Sequence, residues 1–375
     1  MLWHPFTRRP RRSIENNAGD GGLCLARRRF ITGGAAVTGL SLATAGLAKA
    51  AGGMPGMTGA HGHGATLDVR GVDNATAVNG FDPHALLTDW DTGVTSKDRQ
   101  GRTVREFQVV AEERDIVIAD GTVYQAWTYN GRVPGPSLRA TEGDRIRVHF
   151  HNQASMPHTM HFHGLHDARV DGISGVGEPG PGETFVYEFD AEPMGCHLYH
   201  CHSMPLRPHV GRGLYGLWVV DPDPARHPEH AAVARSRLYG TPENREWQEL
   251  AMVMNAFDLD DDGENEVYAA NTVAFCYMDK PIVVERSRPL RIYLANLVEG
   301  DPINSFHLHA NFFDYFDHGT TLEPTLSCVD TVTQCQGQRG ILEMSFARNS
   351  TGSYMFHAHQ SEFAELGWMS FFEVA

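Results

Sequence analysis

The stretch Tyr199-His200-Cys201-His202-Ser203 sets a thiol between two imidazoles on three successive residues. Read as a strand, its side chains alternate, so His200 and His202 share one face and Cys201 takes the other. Soft sulfur suits one kind of copper site and imidazole suits others. The segment therefore predicts two metal centres on opposite faces of one strand, joined by a single backbone step. Three more His-x-His pairs stand out for their matching places: His161/His163, His307/His309 and His357/His359. One pair alone would fit structural histidine or zinc. Four pairs in matching places point to a cluster. Eight imidazoles can hold three copper ions, two with three ligands and one with two, and leave open positions for oxygen.

The Cys201 face needs two histidines and a weak axial group. His158 lies an odd number of residues from His161 and so points the other way, and His209 follows Cys201 across a loop. His158, Cys201 and His209 make a blue-copper set. Leu214 is the expected axial neighbour, a side chain that cannot ligate and so raises the reduction potential. Met204 is the alternative axial ligand. The exposed edge of His209 is the expected port for electrons, which then pass from Cys201 to His200 and His202 through the backbone. The last His-x-His pair encloses Ala358 instead of cysteine, so that region lacks a blue copper and contributes only to the cluster.

Such ligands need rigid strands to hold them. Between Arg105 and Asp221 the segments Phe107–Ala111, Asp115–Ala119, Arg145–Phe150 and Phe185–Phe189 alternate or run apolar. Gly-Pro clusters at 131–136 and 177–182 punctuate them, and no long helical period is present. This is an all-β sandwich pattern. It then repeats. Arg291–Asn296 (RIYLAN) echoes Arg147–Asn152 (RVHFHN), and each is followed within a dozen residues by a His-x-His pair. Each unit closes on a second pair and an apolar strand, which makes two homologous sandwiches, 101–222 and 247–375. Residues 223–246 read as a polar linker, and 51–100 as a flexible Gly/Met/His-rich tail and linker. In that tail Met54, Met57, His61 and His63 could bind copper loosely.

The formal net charge is −15, and the first fifty residues hold eight Lys/Arg against two Asp/Glu, which leaves the rest at −21. So acidic a body argues against nucleic acid or an anionic membrane as partner. Residues 1–50 read as an export signal: Arg27-Arg28-Arg29-Phe30, a mild apolar run from Thr32 to Leu47, then Ala48-Lys49-Ala50. The arginines resemble a twin-arginine signal, and proteins exported that way travel folded. The expected location is periplasmic or extracellular. Cys24 leaves with the signal, while Cys196, Cys276, Cys328 and Cys335 allow three pairings. Cys328 with Cys335 is the first expectation. Asp258-Leu259-Asp260-Asp261-Asp262-Gly263 imitates the start of a calcium loop, but Ala269 stands where the twelfth-position glutamate belongs, so it reads as an acidic loop.

His158–Gly164 (HTMHFHG), Tyr199–His202 (YHCH), Phe356–Gln360 (FHAHQ) and the turn Asn130–Pro136 (NGRVPGP) resemble the multicopper oxidases over about residues 105–375. With blue copper in the first unit alone, the chain looks like the two-domain, laccase-like type. The resemblance implies cupredoxin-like Greek-key sandwiches and four copper ions: one type 1, one type 2 and two type 3. It implies type 2 copper on His161 and His307, and type 3 copper on His163, His200, His202, His309, His357 and His359. It implies a homotrimer, with each cluster shared between the first domain of one subunit and the second of the next. The reaction would take single electrons from a phenolic or metal-ion donor and reduce O2 to water. By the same resemblance Asp171, in Asp171-Gly172, helps deliver protons, and Glu362 and Glu365 are further candidates. Copper nitrite reductase is the nearest rival. Its pattern has an aspartate where His161 stands and lacks the histidine found here at His202. A copper carrier or copper-tolerance protein would leave the four pairs unexplained.

Overall fold

Side-chain alternation builds this fold one face at a time. The computed structural model describes residues 68–72 and 74–375. The export segment, Cys24 and the tail residues Met54, Met57, His61 and His63 lie outside the described residues.

Two short helices, α1 (Ala75–Asn79) and α2 (Pro83–Leu86), come first. The first domain follows with β1 (Trp90–Asp91), β2 (Val94–Lys97), β3 (Thr103–Ala119), β4 (Thr122–Tyr129), β5 (Ser137–Thr141), β6 (Arg145–Asn152), β7 (His161–Phe162), β8 (Thr184–Asp190), β9 (Gly195–His200), α3 (Leu206–Gly211) and β10 (Tyr215–Asp221). After α4 (Ala231–Arg237) and α5 (Pro242–Arg245), the second domain comprises β11 (Gln248–Phe257), β12 (Val267–Ala270), α6 (Cys276–Asp279), β13 (Ile282–Val284), β14 (Leu290–Asn296), β15 (Ile303–Leu308), β16 (Phe313–Asp317), β17 (Leu326–Val329), β18 (Thr331–Cys335), β19 (Arg339–Met344), β20 (Gly352–His357), α7 (Ser361–Glu365) and β21 (Met369–Val374).

These strands form four sheets. Domain 1 has an outer sheet, β2-β3-β6-β8 with β4 on β3, and an inner sheet, β1-β5-β10-β9-β7. Domain 2 has an inner sheet, β12-β11-β14-β19-β16-β17, and an outer sheet, β13-β21-β20-β15-β18. Phe107, Val109, Val148, Phe150, Tyr199 and Trp218 fill the space within domain 1. Met252, Ile292, Leu342, Phe306, Phe356 and Trp368 do so within domain 2. A third core joins the domains. Cys196, Leu198, Leu217 and Val219 on the back of one inner sheet meet Ala251, Val253, Tyr293 and Ile341 on the back of the other. Strands such as β9 and β11 are thus buried on both faces, which is why they read as continuous apolar runs. The result is four stacked layers of cupredoxin-like β-sandwich, mostly β throughout.

Ion pairs are buried in the same seam. Arg139 binds Asp221 at 2.9 Å and Glu249 at 2.7 Å; Arg291 binds Glu249 and Glu343, each at 2.8 Å; Arg237 binds Glu343 at 3.0 Å. Burial would raise the Glu249 carboxyl, but Arg139 and Arg291 outweigh it and hold it down at about 2.

The structure departs from the sequence reading in three places. Phe107–Ala111 and Asp115–Ala119 are one strand, β3, because the charged residues between them continue the ladder with β4. Residues 75–97, expected within a flexible linker, are built into both domains. β1 pairs with β5, β2 pairs with β3, and the Leu87 carbonyl accepts the Ala251 N–H at 2.8 Å. The linker at 223–246 carries α4 and α5 and buries Arg237 in the seam.

Candidate metal centres

In β9 the odd residues face the domain 1 core and the even ones face domain 2. Cys201, one residue past its end, is fully buried in the core with Tyr199, while His200 falls on the other face. His158 and His209 come to the thiol from the segment before β7 and from α3. His209 Nδ1 lies 3.1 Å from the Cys201 Sγ and 3.1 Å from His158 Nδ1, and Sγ to His158 Nδ1 is 3.8 Å. Burial, with His209 alongside, pushes His158 down to about 4, and burial raises the Cys201 thiol. His158 Nε2 is buried with no hydrogen-bond partner. A buried, uncharged N,N,S set with converging donor atoms fits a copper ion. Leu214 is fully buried in the same cluster as Cys201, and its carbonyl accepts the Cys201 N–H at 2.9 Å. Met204 is 68% exposed, in contrast to the fully buried Leu214. His209 is only 2% exposed, so its edge is not the open port expected. Trp127 covers it, 4.9 Å away ring to ring.

The histidine pairs gather four to a domain. In domain 1, His161 lies opposite His200 in the ladder of β7 and β9. Its ring centre is 5.3 Å from those of His163 and His200 and 5.4 Å from that of His202. The Nε2 atoms of His163 and His200 are 3.3 Å apart. In domain 2, His307 lies opposite His357 in the ladder of β15 and β20, and the Nε2 atoms of His309 and His357 are 2.9 Å apart. Burial, with His200 next to it, pushes His163 down to about 2. Burial likewise lowers His200 to about 4. Imidazoles crowded this closely are suited to holding metal ions.

Each ring is aimed from behind. The Asp171 carbonyl takes the His161 Nδ1 at 2.7 Å, with the Asp171 carboxylate at 3.2 Å, which leaves Nε2 for a metal. His307 Nδ1 meets Thr331 Oγ1 at 2.8 Å and the Asp330 carbonyl at 3.1 Å. His200 Nδ1 is held by the Cys201 carbonyl at 2.9 Å. Glu362 and Glu365 are exposed on α7, just past His359.

Several further partners support the histidines and the thiol. The Thr159 hydroxyl accepts the His202 N–H at 2.8 Å, and the Thr159 N–H donates to the Cys201 Sγ at 3.4 Å. Ser305 repeats the first contact, accepting the His359 N–H at 2.7 Å. A hydroxyl two residues before His161 and before His307 was the readable signal. Asp330 and Trp127 carry no such mark. In domain 2 Asn304 stands in the place of His158. The buried Trp368, whose carbonyl accepts the Ala358 N–H, stands in the place of Leu214. Cys335 carries a free thiol, so the expected pairing of Cys328 with Cys335 is not made. The acidic loop acts as a clasp: Arg212 binds Asp261 at 2.8 Å and Arg207 approaches Asp258 at 3.5 Å, tying domain 2 to α3.

The two histidine groups do not meet within the chain. Those of domain 1 lie on the inner-sheet face turned toward domain 2, where His318 and residues 335–338 form the opposite wall. Those of domain 2 lie on the outward face of its outer sheet, since Phe306, Leu308, Phe356 and Ala358 take the inward positions. Two sheet spacings of about 10 Å each separate them.

Residues 111–225 match a family model described as multicopper oxidase, and 246–375 match a second with the same description. A crystal structure of a multicopper oxidase superimposes with a TM-score of 0.72 at 46% identity, covering 80% of this chain and 99% of that one. The copper-containing nitrite reductase of Neisseria meningitidis serogroup B is 27% identical over 259 residues, 66% of this chain and 62% of the reductase. Laccase-2 of Botryotinia fuckeliana is 32% identical over 161 residues, 40% of this chain and 26% of that protein. The chain thus spans less than two thirds of the length of these curated relatives.

Proposed function

The chain belongs to the multicopper oxidase family, and on that premise we propose that it is a laccase-like oxidase. It couples one-electron oxidation of a phenolic or metal-ion donor to four-electron reduction of O2 to water. The carrying observation is the placement of Cys201 between His200 and His202 on opposite faces of one strand, with a buried N,N,S trio on one side and four crowded imidazoles on the other. Copper would supply the electron storage and the O2 chemistry.

The chain's own residues do the rest. His158, Cys201 and His209, with non-ligating Leu214 beside them, hold the type 1 ion. By family resemblance His161 and His307, each with Nδ1 tied to a carbonyl, would hold the type 2 ion. His163, His200, His202, His309, His357 and His359 hold the type 3 pair. The His200–Cys201–His202 backbone links the trio to the cluster. The Asp171 carboxylate, partly exposed and 3.2 Å from His161, carries protons from solvent to the cluster; Glu362 is a second, outlying candidate.

Because the two histidine groups do not meet within the chain, a complete cluster needs the outer sheet of one copy against the domain 1 edge of another. Such unlike surfaces close into a ring, and a homotrimer is the proposed ring. Exposed apolar residues follow both groups closely in sequence: Leu165 and Met204 in domain 1, Phe312 in domain 2. Among the described residues no helix is long and apolar enough to cross a membrane. Action outside the cytoplasm is proposed from the arginine signal alone.

The test is copper per chain, with native mass and O2 uptake on a phenol. A ratio near four in a trimer that consumes O2 is expected, and Cys201→Ser should lose the blue band while keeping histidine-bound copper. A ratio near two would favour a nitrite reductase, and a ratio near one an electron carrier. Either would overturn the oxidase.

A further inference from the structure

We infer that Trp127 is the residue through which electrons reach the type 1 site, an inference that rests on the trio binding copper as proposed. The need for such a residue follows from burial. His158 and Cys201 are fully buried and His209 is 2% exposed, so a donor cannot touch any of the three. Electron transfer between separated partners falls steeply with distance, so whatever bridges His209 to the surface controls the rate. Among the described residues, the rings packed on His209 are Trp127, at 4.9 Å, and its fellow ligand His158. Trp127 also packs on His158, at 5.3 Å, so one indole spans both imidazoles. Unlike the trio, it is partly exposed.

The indole is also held in place. Its backbone N–H donates to the Arg212 carbonyl at 2.9 Å, and the Arg212 guanidinium lies 5.8 Å from its ring. Arg212 is itself anchored by the Asp261 carboxylate. A rigid, electron-rich ring with one side open and the other on two metal-binding imidazoles is suited to relaying single electrons. The donor loses one electron, the type 1 ion gains it, and the indole ends unchanged. The donor is any one-electron organic or metal-ion reductant that reaches the indole.

The test is stopped-flow bleaching of the blue band by ferrocyanide in the copper-loaded protein, under anaerobic conditions, for wild type, Trp127→Phe and Trp127→Leu. The expected result is a bimolecular rate lowered about tenfold in Trp127→Leu, with Trp127→Phe in between. The position of the blue band and copper per chain should stay unchanged. Should leucine disturb the band, the phenylalanine variant decides, because it keeps a ring on His209. A rate equal to or above that of wild type in a variant with an intact band would overturn the inference and make Trp127 only a shield. A wild-type protein with no blue band would instead overturn the oxidase reading, which keeps the two failures distinct.

Discussion

Single residues in this protein are asked to face two ways, and burial sets the terms. His197 shares β9 with Cys196 and Leu198 but turns to the opposite face, where Pro193 takes its Nε2 at 2.9 Å and Arg339 lies 3.4 Å from its Nδ1. Burial pushes it down to about 4, against an ordinary value of 6.5, and the Arg339 cation adds to that. The folded protein therefore binds fewer protons here than the unfolded chain between those two values. Stability is full above 6.5 and is lost as pH falls toward 4, by roughly 3 kcal/mol for this one group. Urea unfolding at pH 7 and pH 5 should show the fall, and His197→Gln should flatten it. An unchanged slope in that variant would mean that His197 takes up its proton as readily in the folded protein as in the unfolded chain.

At the scale of elements, the short edge strand β7 and the end of β9 are clamped by hydroxyls rather than by long ladders. Their pairing covers only His161 with His200 and Phe162 with Tyr199. The Thr159 hydroxyl extends that contact to the His202 N–H at 2.8 Å. Thr159→Val keeps the shape and removes the acceptor, which should cost about 1–2 kcal/mol. It should also perturb His202 more than Cys201. The check is a drop in O2 uptake with the blue band retained; loss of both together would place the residue's role at the trio instead. The same clamp recurs at Ser305 and His359, where no thiol is present. Its conserved geometry across the two repeats ties it to the histidine cluster.

At the scale of the whole molecule, two sandwiches are fused back to back by an apolar seam with a chain of alternating charges at its edge. Glu249 stands between Arg139 of domain 1 and Arg291 of domain 2. Removing one charge from a buried network leaves its partners uncompensated, so Glu249→Gln should destabilise the fold by about 3–5 kcal/mol. A lowered urea midpoint would register it. A midpoint within error of wild type would show that the seam is held by its apolar side chains alone. The rigidity of this seam also bears on function, since it keeps the two histidine groups apart and makes their union a matter between copies.

Much of this was readable from residue types and spacing. Strand alternation is a local rule, so Cys201 against His200 and His202, the turned-away His158 and the repeat of His-x-His pairs could all be read without coordinates. The sandwich class followed from the same alternation, and Ala358 in place of cysteine marked domain 2 as lacking a trio. Other features depend on contacts distant in sequence. The folding of residues 75–97 onto both domains is decided by partners such as Ala251. The burial of His209 beneath Trp127 joins β4 to α3 across a gap that no periodicity spans. Asp330 is placed behind His307 only by the pairing of β15 with β18. The separation of the two histidine groups is likewise tertiary: alternation says which residues share a face, but only the stacking of four sheets decides what that face meets.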